Sequence, residues 1–244
     1  MPRFFVTPDS FDDNRVSIVG DDAFHIARSL RMAVGDEITV ADARGYEYAC
    51  ILRKIRDDVC ECEVTGKKLS KAEPPVDVTL FMAYPKGDKL EIVIQKAVEL
   101  GANRIVPFES SRCVKRPHQD KAERQRSRLS KIAKEAAKQC GRARLSTVDT
   151  PIDFDQMLIE AKKSDLALFC YEGKSAMSLK KTLSQNQNVK SISVVVGCEG
   201  GFSEKEAEDA TASGLIPVNL GPRILRCETA PLYALASISY NYEL

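Results

Sequence analysis

Two short stretches carry the residue types most suited to holding a small molecule: Gly197-Cys198-Glu199-Gly200-Gly201-Phe202-Ser203 and Leu220-Gly221-Pro222-Arg223-Ile224-Leu225-Arg226-Cys227-Glu228-Thr229-Ala230. Each follows an apolar run that reads as a strand. Glycines at the C-terminal end of a parallel strand let a ligand approach the backbone, and the crevice outside such ends is where open α/β sheets bind small molecules. The second stretch adds two arginines and a glutamate, polar groups that a plain connector does not need. Glycine turns between strands and helices are common, so composition alone leaves a binding site and a simple connection both open.

Familiar phosphate and nucleophile patterns are absent. Glu172-Gly173-Lys174-Ser175 resembles the end of a P-loop, yet the glycine required five residues before Gly173 is Leu168. No G-x-G-x-x-G is present. His25 and His118 fall on separate segments, and no serine or cysteine has a neighbouring base, which disfavours a nucleophilic triad. The eight cysteines are scattered and read as free thiols. Cys60 and Cys62 alternate with Glu61 and Glu63, the pattern of a strand core rather than a metal site, and no metal is expected.

The elements that must position the two loops come from periodicity. From residue 76 onward, apolar runs at Val76–Tyr84, Ile105–Phe108, Leu166–Tyr171, Ile192–Gly197 and Ile216–Leu220 alternate with amphipathic segments, which predicts a parallel sheet covered by helices. Asp88 to Leu100 is the clearest helix, with Asp88 as N-cap, Gly101 as stop, and Leu90, Val93, Ile94, Ala97 and Val98 on one face. Thr229 to Tyr242 is apolar almost all round, so this last helix should be deeply buried, against the domain or against a second subunit.

Residues 1–70 are β-rich instead, with strands expected at Val16–Val19, Glu37–Ala41, Tyr46–Ile55 and Val59–Val64 and one helix at Asp21–Met32. That pattern implies a small barrel. In the helix Ala23, Phe24, Ile26, Ala27 and Leu30 should face the core. Lys67–Pro75 is polar and ends in Pro74-Pro75, and the linker is set at 71–75, followed by a second domain over 76–244.

The net charge of +1 hides an asymmetry: Arg112 to Arg144 carries twelve Lys/Arg against three Asp/Glu, or +9, leaving −8 elsewhere. A polyanion can dock on such a segment. Leu129, Ile132, Ala133, Ala136, Ala137 and Cys140 form a narrow apolar stripe there, with Arg124, Arg128, Lys131, Lys134 and Lys138 on the other side and without matching acids. No apolar run reaches the ~20 residues that span a bilayer, and the acidic start of the chain is unlike a secretory signal, so a cytoplasmic protein is expected.

Five blocks in order, Tyr84–Glu91, Lys96–Gly101, Glu135–Arg142, Gly197–Ser203 and Leu220–Ala230, resemble the ribosomal RNA small subunit methyltransferase E family. Arg3-Phe4-Phe5 and the His25–Met32 region are similar to its N-terminal part, so the resemblance runs through essentially the whole chain. It implies an α/β protein made of an N-terminal PUA-like β-barrel and a C-terminal SPOUT-type parallel sheet with a trefoil knot, pairing as a homodimer. It also implies an S-adenosyl-L-methionine cofactor and methylation of uridine N3 in 16S rRNA of the small subunit. Cys198 stands where the family usually has proline, Cys227 where it has threonine, and Leu145-Ser146 follows Arg144 where a proline is common.

Carried over residue by residue, the resemblance implies a cofactor site of Tyr171, Glu172, Gly197, Glu199, Gly200, Gly201, Leu220, Gly221, Ile224, Leu225, Arg226 and Ala230. Charge developing on the uracil oxygens calls for a nearby donor, with Arg226 first and Arg223 as alternative, and Glu199 or Glu228 is a conceivable proton acceptor. Either arginine could instead pair with one of these glutamates. Arg3, Phe4, His25, Arg28, Arg31, Lys86, Lys131, Lys134 and Lys138 would contact RNA, cations on phosphates and an aromatic on an unpaired base, although Phe4 and Phe5 also read as first-strand core. Two rivals remain: a non-catalytic RNA-binding protein that has lost donor binding, and a small-molecule enzyme of ordinary doubly wound fold.

Overall fold

A computed structural model of the chain describes residues 1–114, 122–173 and 176–244; His118, Lys174 and Ser175 lie outside the described residues. The chain divides into two compact units, Met1–Glu73 with Ala137–Leu145, and Pro74–Ala136 with Ser146–Leu244. The first unit thus takes in a short piece from the middle of the sequence. Two ion pairs withdrawn from solvent explain this. Arg142, 2% exposed at its side chain, lies 3.0 Å from Glu73, and Lys138 lies 2.8 Å from Asp22.

In the first unit six strands form one curled sheet in the order β1-β4-β5-β6-β3-β2: β1 (Arg3–Phe5), β2 (Phe11–Asp12), β3 (Arg15–Val19), β4 (Glu37–Ala41), β5 (Tyr46–Ile55) and β6 (Val59–Leu69). β1 runs parallel to β4 and the other pairs are antiparallel. Alternation decides which side chains enter: Val16, Ile18, Ile38, Val40, Cys50, Leu52, Cys60 and Cys62 are all buried in one core. Desolvation there pushes the Cys62 thiol up to about 12, which makes it an inert apolar group.

Three expectations in this unit are corrected. The helix over Asp21–Met32 is instead a short α-helix, α1 (Asp21–Phe24), followed by a wider π-type turn over His25–Ser29. Ala23 and Ile26 are fully buried while Phe24 and Leu30 are exposed, and the wider turn shifts the helical phase of the residues that follow Phe24. β6 continues to Leu69 rather than stopping at Val64, because past a bulge at Thr65 the residues Gly66, Lys67, Lys68 and Leu69 still lie opposite the first residues of the long β5. Finally, Phe4 is 2% exposed, so the aromatic expected to stack on a base is a core residue.

The second unit is a seven-stranded parallel sheet in the order β11-β13-β10-β12-β7-β8-β9. Its strands are β7 (Asp77–Ala83), β8 (Arg104–Phe108), β9 (Thr147–Val148), β10 (Leu166–Cys170), β11 (Met177–Ser178), β12 (Ser191–Val196) and β13 (Ile216–Asn219). Helices α2 (Lys89–Glu99), α3 (Ala122–Cys140), α4 (Phe154–Ala161), α5 (Leu179–Gln185), α6 (Glu204–Ala212) and α7 (Thr229–Glu243) alternate with them. The central strands β7 and β12 are apolar on both faces, as a covered parallel sheet demands: Leu80, Met82, Val194 and Val195 are fully buried.

α2 buries the apolar face read from the sequence and stops at Gly101, whose φ of +90° a side chain would strain. Asp88 occupies its N-cap position without making the side-chain cap expected of it. Within the single chain α7 buries Ala234, Leu235 and Ile238, while Tyr233 and Tyr240 are 44% and 73% exposed. No helix among the described residues is long and apolar enough to cross a membrane.

Candidate functional site

Because all seven strands are parallel, the loops that leave their C-terminal ends emerge on one side of the sheet. Five neighbouring strands, in the order β13-β10-β12-β7-β8, supply the loops 220–230, 171–173, 197–203, 84–89 and 109–114. Residues of these loops line a cavity of about 680 Å³. That volume lies within the ~300–1,000 Å³ range of cofactor pockets.

Of the twelve residues expected to hold a cofactor, Tyr171, Glu172, Gly197, Glu199, Gly200, Gly201, Leu220, Ile224, Leu225, Arg226 and Ala230 line this cavity, and Gly221 does not. That list is the one the resemblance implies. It missed Lys89 and Arg112, which come from the loops after β7 and β8 and also line the cavity. Lys89 falls within the Tyr84–Glu91 block and Arg112 in none of the five, and the strand order is what brings both to the cavity.

The glycine loop is built for close approach. A Cβ on Gly197 would lie 3.1 Å from both Gly201 Cα and the Phe202 ring, and one on Gly200 would lie 3.0 Å from Arg112 Cβ. Gly201 closes the bend, its N–H donating to Cys198 O at 2.9 Å with φ at +61°. Phe202 anchors the loop from below, packed on Phe169 at 4.3 Å between ring centroids. Ser203 then starts α6 with a complete capping box to Glu206. Cys198 is buried with its Sγ 3.9 Å from Ser110 Oγ, a contact that a proline at this position could not make.

The two glutamates do not pair with the arginines. Lys89 Nζ donates to Glu199 Oε1 at 2.9 Å and lies 3.2 Å from Glu228 Oε2 and 3.7 Å from Cys227 Sγ. Partial burial pushes the Glu199 carboxyl up, but Lys89 and the backbone N–H of Lys86 outweigh it and hold the group below the usual carboxylate range. Glu228 is held low chiefly by its own backbone N–H, with Cys227 and Lys89 adding to the effect. Its hydrogen bonds with these glutamates raise the Lys89 pKa in turn, while burial drives the Cys227 thiol up to about 12. Arg223 and Arg226 are exposed, and among the described residues their side chains have no hydrogen-bond or ion-pair partner.

The residues expected on RNA divide by their partners. In the first unit Arg3 is held 3.1 Å from Glu47 and is mostly buried, and Lys138 is paired with Asp22. Arg28 makes an exposed two-point pair with Asp57, at 2.9 and 2.5 Å. His25 and Arg31 are exposed. In the second unit Lys86 and Lys131 are exposed and Lys134 is half-buried. The basic helix is less free of acids than its sequence implied, since Arg126 pairs with Glu123 and Arg128 with Glu91. Among the described residues no group of side chains suits a metal ion.

An RNA methyltransferase domain model matches residues 72–239, and an RNA methyltransferase PUA domain model matches residues 18–65. The chain is 39% identical to ribosomal RNA small subunit methyltransferase E of Bacillus subtilis (strain 168) over 93% of its own length and 91% of that protein's. It superposes on the crystal structure of a ribosomal RNA small subunit methyltransferase E from Neisseria gonorrhoeae bound to S-adenosyl methionine with a TM-score of 0.87 and 28% identity, covering 99% of this chain and 98% of that one. A methyltransferase from Legionella pneumophila in complex with the cofactor SAM gives 0.86 and 26%, covering 98% and 96%. With its glycine loop, its five-loop cavity and near full-length similarity to these enzymes, the chain belongs to the ribosomal RNA small subunit methyltransferase E family.

Proposed function

We propose that the protein methylates N3 of a uridine in 16S rRNA of the small ribosomal subunit, using S-adenosyl-L-methionine held in the cavity of the second unit. The observation that carries this reading is the convergence of five strand-end loops on one cavity that Gly197, Gly200 and Gly201 help to line. The fit is chemical as well as spatial. Backbone at Gly197, Gly200 and Gly201, the Tyr171 ring and the apolar Leu220, Ile224 and Leu225 suit a nucleoside, while Glu172 and Glu199 suit its hydroxyl and amine groups.

When bound, the cofactor supplies an electrophilic methyl on a sulfonium. The chain's part is to align N3 with that methyl and exclude competing acceptors, so positioning carries most of the rate. The unpaired Arg226, with Arg223 as alternative, meets the negative charge that grows on uracil O2 and O4. Glu199 and Glu228 are ionised and free to accept a proton, but carboxylates held below their usual range are weak bases, so solvent is a sufficient final acceptor.

RNA contact is assigned to His25, Arg28 and Arg31 of a PUA-like barrel over residues 1–70 and to Lys86, Lys131 and Lys134 of the 76–244 domain. Arg28 and Asp57 are solvent-exposed, so a phosphate can replace the aspartate at little cost. Residence in the cytoplasm, a SPOUT-type trefoil knot and a homodimer through α7 belong to the same reading. The exposed Tyr233 and Tyr240 and the buried Asn241 Nδ2, which lacks a partner in the single chain, support the dimer.

The test is to incubate the purified protein and donor with small subunits from a strain lacking the modification, digest the RNA and analyse nucleosides by mass spectrometry. 3-Methyluridine is expected. A different methylated nucleoside overturns the assigned position, and no methylated nucleoside overturns the reaction.

A further inference from the structure

Lys89 stands apart from the residues a glycine-loop pocket would need. Its ammonium lies between two carboxylates that come from different loops, Glu199 of 197–203 and Glu228 of 220–230. Among the described residues no hydrogen bond or ion pair joins those two loops directly. The polar connection between them runs through this one side chain, with the Lys86 backbone N–H adding a second tie to Glu199 at 3.2 Å.

We infer that Lys89 is a positioning residue that sets the spacing of the two cofactor loops, an inference that rests on the proposed donor site for its consequence in binding. Three physical points support it. The lysine is the first residue of α2, whose next turn is fixed by the buried Leu90, Val93 and Ile94, so its own backbone is a rigid anchor. Its side chain is 30% exposed and the two carboxylates 31% and 24%, so this is a partly withdrawn three-charge network rather than a lone surface pair. The distances through Nζ leave the two carboxylate oxygens within about 6 Å of each other, where they repel once the cation is gone. Loop 220–230 has little else to hold it: Gly221, Pro222, Arg223, Ile224 and Arg226 are all exposed.

Hydrogen exchange on the ligand-free protein tests the coupling without any donor. In Lys89→Met, segments 197–203 and 220–230 should exchange faster together, while the body of α2 keeps its protection and Lys89→Arg restores both loops. Glu228→Gln, a milder change, should loosen 220–230 and leave 197–203 as it was. Faster exchange confined to 84–89, or no rescue by arginine, overturns the inference. Calorimetry then reads the consequence: Lys89→Met should weaken S-adenosyl-L-methionine and its demethylated product alike by about tenfold, with Lys89→Arg recovering most of it. Unchanged affinity for both compounds overturns the positioning role in binding. Coupled loops in a wild-type protein that binds neither compound leave the mechanical link standing and overturn the donor reading.

Discussion

Glu206 and Ser111 join the loop after β8 to the first turn of α6: Glu206 Oε1 accepts the Ser111 N–H at 2.7 Å and Oε2 accepts its hydroxyl at 2.8 Å. Ser203 adds its N–H and hydroxyl to the same carboxylate at 2.8 and 2.9 Å. Burial raises the Glu206 pKa, but these donors outweigh it and the group titrates below its usual value. A carboxyl depressed in the folded state stabilises above its unfolded pKa and loses that contribution as pH falls through the folded value. Glu206→Gln, which brings an NH₂ against these donors, should cost about 1–3 kcal/mol at pH 7. The gap in Tm between variant and wild type should narrow as the buffer is taken below pH 4, and a gap constant down to pH 3 would contradict the assignment.

Gly197→Ala puts a methyl against Gly201 and Phe202, where neither a backbone atom nor a packed ring can yield easily. The expected cost is about 1–3 kcal/mol in stability, with a larger proportional loss of donor affinity because the bend itself must open. Thermal melts and donor titration of one preparation check both. Gly214→Ala, which meets nothing but has φ at +95°, serves as a backbone-strain control away from the cavity.

Arg142 was singled out by resemblance as part of Glu135–Arg142, and its role is to hold the first unit together. The guanidinium is 2% exposed and lies 3.0 Å from Glu73, which also accepts the N–H groups of Ala143 and Arg144 at 2.7 and 2.9 Å. Arg142→Met leaves Glu73 its two backbone partners, whereas Glu73→Ala takes a carboxylate from the buried guanidinium and the acceptor from two backbone N–H groups at once. Both should destabilise, by about 3–5 kcal/mol for the second and less for the first. Urea melts give the order, and the reverse order would sink this account.

Arg226→Ala should lower turnover by about 10²-fold while leaving donor affinity nearly unchanged, if the side chain acts where charge develops. Calorimetry beside single-turnover methylation separates the two effects. An equal loss of donor affinity would make Arg226 a donor-binding group rather than one that acts on the developing charge.

The alternation of apolar runs and helices made the parallel sheet legible, glycines at strand ends singled out two of its loops, and the eleven cavity-lining residues named in advance came from the family resemblance. What stayed hidden depended on strand order. Lys89 and Arg112 lie far along the chain from the glycine loop and reach it only because β7 and β8 follow β12 in the sheet. The fate of Phe4 was equally unreadable, since a residue in a short strand beside basic groups fits a core and an RNA face alike. The helix after Asp21 failed for a local reason: one wider turn rotates every later side chain, and periodicity assumes a constant pitch.

The neighbours β7 and β12 pair Asp77 with Ser191 and Met82 with Val196, across a long intervening stretch of chain. During synthesis β7 leaves the ribosome well before its partner has been made, and its apolar edge waits unpaired until β12 arrives. Assembly of the sheet is therefore a late event dominated by non-local pairing, a topology that folds slowly and exposes sticky intermediates. Until that pairing closes, the half-built sheet keeps an apolar flank on which other chains can add.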